Sequence, residues 1–310
     1  MNRQDRVAVT SRSFSRNPVL RQELLKRYER VTFNDAGVQL EGEALVAFLR
    51  GHDKAITALE RIDESVLARL PELQVVGKYG VGLDMIDMAA MRRHGKRLGW
   101  TGGVNRRSVS ELVIAFSIAL LRHVPAAHRE VLAGTWRQHV GHQLTGKTVG
   151  IIGCGHIGKD LVRMLQPFEC PILANDVLEF PDFYRQHGIK AVKLDELLAG
   201  ADVVTLHVPL DESTRDMLGA EKLSLMRPGA ILINTARGCV VDEAALKAAL
   251  LEKRIAGAAF DVFAQEPPED RELLELPNFL VTPHIGGSAV EAILAMGRAA
   301  IDGLDNNEIP

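Results

Sequence analysis

The sequence predicts an α/β chain of two parallel-sheet domains of the Rossmann and flavodoxin-like, doubly wound kind. Three observations carry this. Short apolar runs alternate with amphipathic helical patterns along two stretches, a glycine-rich break separates them, and a Gly-x-Gly-x-x-Gly turn opens the second. Apolar runs joined by helices imply parallel strands, because a parallel neighbour is reached only through a crossover connection. A length of 310 residues with 46% hydrophobic content is enough to fill two cores.

In the first stretch, strands are expected at "VAVT", "VTF", "KAIT", "QVVGK" and "RLGW", and helices at "PVLRQELLKRY", "GEALVAFLR", "ESVLARL" and "IDMAAMRRHG". The pattern breaks at "GWTGGVNRRS", where Ser108 reads as the N-cap of a long helix from Val109 to His123. A domain boundary falls there. The second series runs through "GKTVGIIG", "PILAND", "ADVVTLHV", "GAILINTA", "AGAAFDVF" and "FLVTPH", with helices such as "DEAALKAALLEKR" between them. The last amphipathic stretch, "SAVEAILAMGRAAIDGLDN", has no strand after it and is expected to pack back on the first domain.

Composition excludes several classes. A net charge of -3, from 37 Lys and Arg against 40 Asp and Glu, offers no field for nucleic acid and no polybasic membrane anchor. The basic run "MRRHGKR" reads as a solvated helix end. The apolar run "LVIAFSIALL" is too short to span a bilayer, and the N-terminus lacks the apolar core of a signal peptide. Cys154, Cys170 and Cys239 are too scattered for a disulfide framework or a metal knuckle, which favours a reducing, cytoplasmic setting. His139 and His142 lack a third ligand, so no metal site is expected.

Gly153, Gly155 and Gly158 in "GIIGCGHIGKDL" stand directly after an apolar strand and open a helix. The first permits the tight turn, the second lets a pyrophosphate approach the backbone, and the third lets helix and strand pack closely. The next strand ends in "LAND", leaving Asp176 roughly 20 residues on, where its carboxylate can accept from ribose hydroxyls. That carboxylate would repel a 2′-phosphate, and no arginine follows in "VLEF". NAD is therefore expected over NADP.

Ligands of open α/β sheets bind beyond the carboxyl ends of the strands. Three strands end there in polar clusters: Thr235 to Arg237 in "ILINTARGCVVDE", Asp261 to Glu266 in "AAFDVFAQEPP", and His284 in "FLVTPHIGG". His207 in "TLHVP" reads as a structural strand-end residue, and Cys239 is given no role.

Together with "KYGVGLDMID", "GVNRRSVSE", "GIIGCGHIG", "LHVPLDEST" and "MRPGAILINTARG", these segments resemble the D-isomer-specific 2-hydroxyacid dehydrogenases, and the likeness covers most of the chain. The resemblance implies two domains with the active site in the cleft between them. Residues 1–103 with 286–310 would bind substrate, residues 104–285 would bind NAD, and a homodimer would form mainly through the cofactor domains. It also implies an NAD-dependent oxidoreductase interconverting a D-2-hydroxy acid and a 2-oxo acid. Arg237 would bind the substrate's carboxylate and carbonyl oxygen, His284 would be the acid/base, and Glu266 its partner. Arginine offers permanent planar donors. A carboxylate beside imidazole fixes the tautomer and favours the protonated form.

The same resemblance places Val81 and Gly82 as backbone donors to the substrate carboxylate, and His156 and Ile157 at the pyrophosphate. Val208, Pro209 and Thr214 would line the nicotinamide side, Thr235 and Asp261 would lie near its carboxamide, and Ala236 and Gly286 would complete the cofactor contacts. Pro283 would stiffen the exit of its strand, with Gly286 and Gly287 freeing the chain to turn.

Departures from the family pattern bear on substrate. Lys78 stands where many members have arginine, "WTGG" from Trp100 stands where they have Asn-x-Pro-Gly, and Thr57 lies near the place of a phosphate-binding arginine. No serine-regulated domain of the kind some phosphoglycerate dehydrogenases carry is expected. Glu266, where formate enzymes have glutamine, argues against formate. A phosphite-type dehydrogenase and a non-catalytic, corepressor-like NAD sensor are the alternatives.

Overall fold

The computed structural model describes residues 4–310. Two compact units divide the chain: Met1–Asn105 with Val290–Pro310, and Arg106–Ala289.

The first unit is built on a five-stranded parallel sheet of β1 (Arg6–Val9), β2 (Arg30–Phe33), β3 (Lys54–Thr57), β4 (Val75–Lys78) and β5 (Arg97–Gly99), in the order β2-β1-β3-β4-β5. Strands 1, 3 and 4 are almost wholly buried, as parallel strands covered on both faces must be. Successive residues feed opposite cores. Val7, Val9 and Ile56 pack with Leu20 and Leu24 of the helix Pro18–Arg27 and with Ala300 and Ile301. Ala8, Ala55 and Val76 pack with Leu45, Leu67 and Met91 on the other face.

The helix Val290–Gly303 lies directly on this sheet because glycines let it. A Cβ at Gly77 would fall 2.7 Å from the Ala300 carbonyl oxygen, and one at Gly99 would fall 2.0 Å from that of Gly303.

The second unit carries seven parallel strands: β6 (Val149–Ile152), β7 (Ile172–Asn175), β8 (Lys190–Ala191), β9 (Val203–Leu206), β10 (Ile231–Asn234), β11 (Gly257–Phe260) and β12 (Phe279–Val281). Their order is β12-β11-β10-β9-β6-β7-β8, so the chain reverses direction across the sheet at β6 and β9, the switch point where such sheets bind ligands. Alternation again splits the core. Val204, Leu232 and Phe260 face Leu197 and Leu246, whereas Val203, Ile231, Ile233 and Ala259 face Phe116 and Leu161. Among the described residues no single helix is long and apolar enough to cross a membrane.

Several local readings need correction. The long helix spans Arg106–Leu121, and Ser108 lies inside its first turn. The Ser108 hydroxyl donates to the Gly286 carbonyl at 2.7 Å, so it ties two segments of the second unit together and caps nothing. "ESVLARL" forms a helix only over Glu64–Leu67, and a short helix at Arg12–Arg16 and the two-residue β8 carry too little periodicity to be seen in sequence.

Candidate active site

The site residues expected in the second unit lie at the carboxyl end of a strand, in the loop just beyond it, or, for His156, Ile157 and Gly158, in the first turn of the helix that follows. β6 runs into Gly153, whose φ of +93° needs glycine, and then into the helix His156–Leu165 with Gly155 at its N-cap. A Cβ at Gly153 would meet the His207 backbone at 2.7 Å, and one at Gly158 would meet the Gly153 carbonyl oxygen at 2.5 Å. The protein's own packing therefore demands both glycines. A Cβ at Gly155 would meet nothing within 4 Å. Open space thus lies before a helix amino terminus whose first N–H groups have no intrahelical partner, the arrangement a pyrophosphate fits. His156 is exposed there, and the Ile157 carbonyl accepts from Ser110 Oγ at 3.4 Å.

Across the turn, Asp176 Oδ2 accepts from the Cys154 N–H at 2.6 Å and Oδ1 from the Leu178 N–H at 2.8 Å. These bonds fix the carboxylate and leave a second lone pair on each oxygen, enough to accept from a ribose.

At β9, His207 Nε2 lies 3.1 Å from Thr205 Oγ1 while Nδ1 is buried without a protein partner. Burial pushes this imidazole down to about 3, so it is neutral. Val208 is half-buried and Pro209 exposed beyond it. Thr214 proves to be a brace for this loop. Its hydroxyl donates to the Pro209 carbonyl at 2.8 Å and accepts from the Asp211 N–H at 2.9 Å.

At β10, the buried Asn234 accepts from the Ala236 N–H at 3.0 Å and donates to the Arg237 carbonyl at 2.8 Å, fixing the loop that carries the arginine. Arg237 is half-buried, and its guanidinium donates to the Ala236 carbonyl at 2.7 Å. Thr235 Oγ1 is buried without a protein hydrogen-bond partner.

Gly238 explains how this loop meets its neighbour. A Cβ there would lie 1.8 Å from the Phe263 carbonyl carbon, so the Arg237 loop and the segment leading to Glu266 touch backbone to backbone. Glu243 Oε1 pins that segment by accepting from the Ala264 N–H at 2.7 Å. Neither residue is singled out by sequence patterning. The only signal is a glycine directly after the strand-end arginine.

Glu266 Oε1 accepts from the Phe263 N–H at 3.1 Å, and Oε2 lies 2.9 Å from His284 Nδ1. A carboxylate only accepts, so Nδ1 carries the hydrogen and Nε2 is the nitrogen left for another partner. Both side chains are partly exposed, at 50% for His284 and 40% for Glu266. His284 itself has a φ of +54°, a left-handed conformation costing about 1 kcal/mol for a residue with a Cβ.

Asp261 holds that conformation. It is 1% exposed, and its side chain accepts from Thr282 Oγ1 at 2.5 Å and from the N–H groups of Ile285 and Gly286, both at 2.7 Å. The chain itself thus fills Oδ1, while Oδ2 takes one bond and keeps a lone pair. The turn expected at Gly286 and Gly287 forms there, closed by the Ser288 N–H donating to the Ile285 carbonyl at 2.8 Å, and His284 adds a bend just before it. Gly286 is needed for space, since a Cβ would stand 3.0 Å from Asp261 Oδ2.

In the first unit, Val81 and Gly82 are half-buried and follow Gly80, whose φ is +122°. Trp100 Nε1 donates to the Val81 carbonyl at 3.1 Å. Lys78 is buried with its ammonium on the Ala58 carbonyl, and Thr57 Oγ1 is buried without a protein partner. Among the described residues no three His, Cys, Asp or Glu side chains group as a metal site. His139 bonds Glu130 at 2.8 Å, and His142 is exposed.

Comparison with known proteins identifies the family. Residues 114–286 match the D-isomer specific 2-hydroxyacid dehydrogenase, NAD binding domain. The D-3-phosphoglycerate dehydrogenase of Archaeoglobus fulgidus is 37% identical over 249 residues, which are 79% of this chain and 47% of that protein. The (S)-sulfolactate dehydrogenase of Chromohalobacter salexigens is 41% identical over 236 residues, 75% of this chain and 76% of that one. The crystal structure of D-lactate dehydrogenase from Aquifex aeolicus, complexed with NAD and lactic acid, is 25% identical with a TM-score of 0.82 over 96% of this chain and 93% of that one. The chain spans about half the length of the phosphoglycerate dehydrogenases it matches. With the glycine turn, Asp176 and the paired Glu266 and His284 all at strand ends, and with more than half of its length matched, the chain belongs to the D-isomer specific 2-hydroxyacid dehydrogenase family and carries that family's NAD binding domain.

Proposed function

We propose that the chain interconverts a D-2-hydroxy acid and a 2-oxo acid. When bound, the cofactor would supply a hydride as NADH for reduction and take one up as NAD+ for oxidation. The Gly153 to Gly158 turn and the helix it opens hold the pyrophosphate, Asp176 accepts from the adenosine ribose, and Thr235, whose buried hydroxyl lacks a partner, serves the carboxamide. Val208 and Pro209 line the nicotinamide side, while Thr214, Asp261 and Gly286 act by holding their loops in place.

His284 Nε2 gives a proton to the substrate oxygen during reduction and takes it back during oxidation. Glu266 fixes the tautomer and stabilises the imidazolium that forms in the oxidative direction. Arg237 binds the substrate's carboxylate and polarises its carbonyl. Val81 and Gly82 offer backbone N–H groups to the substrate carboxylate.

The 2.9 Å contact between His284 and Glu266, held by the Gly238 approach and by Asp261, carries this reading. Its relatives act on phosphoglycerate, sulfolactate and lactate, so the substrate tail is chosen elsewhere in the protein. The test is NADH oxidation with a panel of 2-oxo acids: glyoxylate, hydroxypyruvate, pyruvate and phosphohydroxypyruvate. Turnover of at least one supports the assignment. Intact NADH binding without turnover of any favours an NAD sensor.

We also infer a homodimer. The helix Val124–Leu132 buries none of its own residues, and Leu132, Trp136 and Val140 are 75%, 86% and 94% exposed, an apolar surface suited to a second copy. Sedimentation equilibrium reads the mass directly.

A further inference from the structure

We infer that Trp100 is a positioning residue for the substrate carboxylate, acting through the peptide that joins Val81 to Gly82. This inference rests on the reading of that turn as the carboxylate site. The indole N–H donates to the Val81 carbonyl oxygen at 3.1 Å, while the ring stays 41% exposed. A side chain holding a backbone carbonyl with its one polar atom, and otherwise partly in solvent, is not serving as core.

The bonded carbonyl belongs to the same planar unit as the Gly82 N–H, and in a trans peptide the two point in opposite directions. Fixing the oxygen toward Trp100 therefore aims the N–H away from the indole. Accepting a hydrogen bond at the oxygen also polarises the amide and makes its N–H a stronger donor. Gly80 precedes the turn at a φ of +122°, a conformation open to glycine, and the Trp100 bond fixes the peptide that follows Val81. Tryptophan at position 100 thus orients and strengthens an anion donor without touching the substrate.

The measurement is inhibition by oxamate, a small carboxylate analogue of a 2-oxo acid, alongside steady-state kinetics, NADH affinity and Tm. Trp100→Phe keeps the ring and removes the donor. It is expected to raise the oxamate Ki and the 2-oxo acid KM about three- to tenfold, as loss of one hydrogen bond to a polarised amide should, with kcat, NADH affinity and Tm little changed. A fall in Tm and NADH affinity together with KM would mark Trp100 as merely structural and overturn the inference. Gly82→Pro, which lacks the N–H, separates the two levels. If it leaves oxamate inhibition intact, the carboxylate reading of the turn fails. If it abolishes inhibition while Trp100→Phe changes nothing, the reading stands and the role given to Trp100 is wrong.

Discussion

Glu266 bonds His284 with one carboxylate oxygen, at 2.9 Å, and the Phe263 N–H with the other, at 3.1 Å. The imidazole is thereby tied to the backbone of its neighbouring loop. Glu266→Gln keeps the shape and removes the charge that stabilises an imidazolium. We expect kcat to fall about 10- to 100-fold with NADH affinity unchanged, measured by initial rates and fluorescence titration. Equal losses in rate and NADH affinity would show that Glu266 supports the fold instead.

The glycines separate cofactor space from protein packing. Gly155 has an ordinary φ of -77° and open space where a Cβ would go. Gly155→Ala should leave Tm within a degree or so and weaken NADH at least tenfold, because the methyl occupies the pyrophosphate's approach. Gly238→Ala puts a Cβ 1.8 Å from the Phe263 carbonyl carbon and should destabilise by about 1–3 kcal/mol while lowering kcat. Melting curves with NADH titrations check both, and the reverse pattern would refute the assignment.

Asp176 sets the nucleotide preference. Asp176→Ser removes the carboxylate that would repel a 2′-phosphate, and also the acceptor for the Cys154 N–H. NADH should bind more weakly and NADPH should be used better than by the unaltered protein. Unchanged use of both cofactors would place the ribose elsewhere.

His207 gives the protein an acid-sensitive limb. The folded state holds this imidazole neutral down to about 3, whereas the unfolded chain protonates it near 6.5. Below pH 6.5 the unfolded state binds the extra proton, so stability declines as pH falls, by about 1.4 kcal/mol per unit at most, until the folded state is protonated as well. His207→Gln should flatten the dependence of Tm on pH between 6.5 and 4. An unaltered slope would mean that other groups carry the acid limb.

The strands and the glycine turn were legible because buried parallel strands and the helix-opening turn have short-range causes: apolar runs, and φ at Gly153. Ser108 misled because its partner, the Gly286 carbonyl, is distant in sequence. The glycine turn at Gly286 and Gly287 was legible, but the positive φ of His284 was not, because the Asp261 carboxylate that receives the N–H groups after it stands more than twenty residues away. Gly238 and Glu243 went unseen for the same reason, since each acts on a loop more than twenty residues away. The pairing of Glu266 with His284 was readable from the resemblance, and the bonds from Asp261, Asn234 and Glu243 that hold the loops in place were not.

The most direct test of the account is NADH oxidation by His284→Ala with the best 2-oxo acid of the panel. NADH affinity is expected to stay close to that of the unaltered protein while the rate falls by about 10²- to 10⁴-fold. Turnover at the unaltered rate would remove His284 as the proton shuttle and contradict the proposed chemistry.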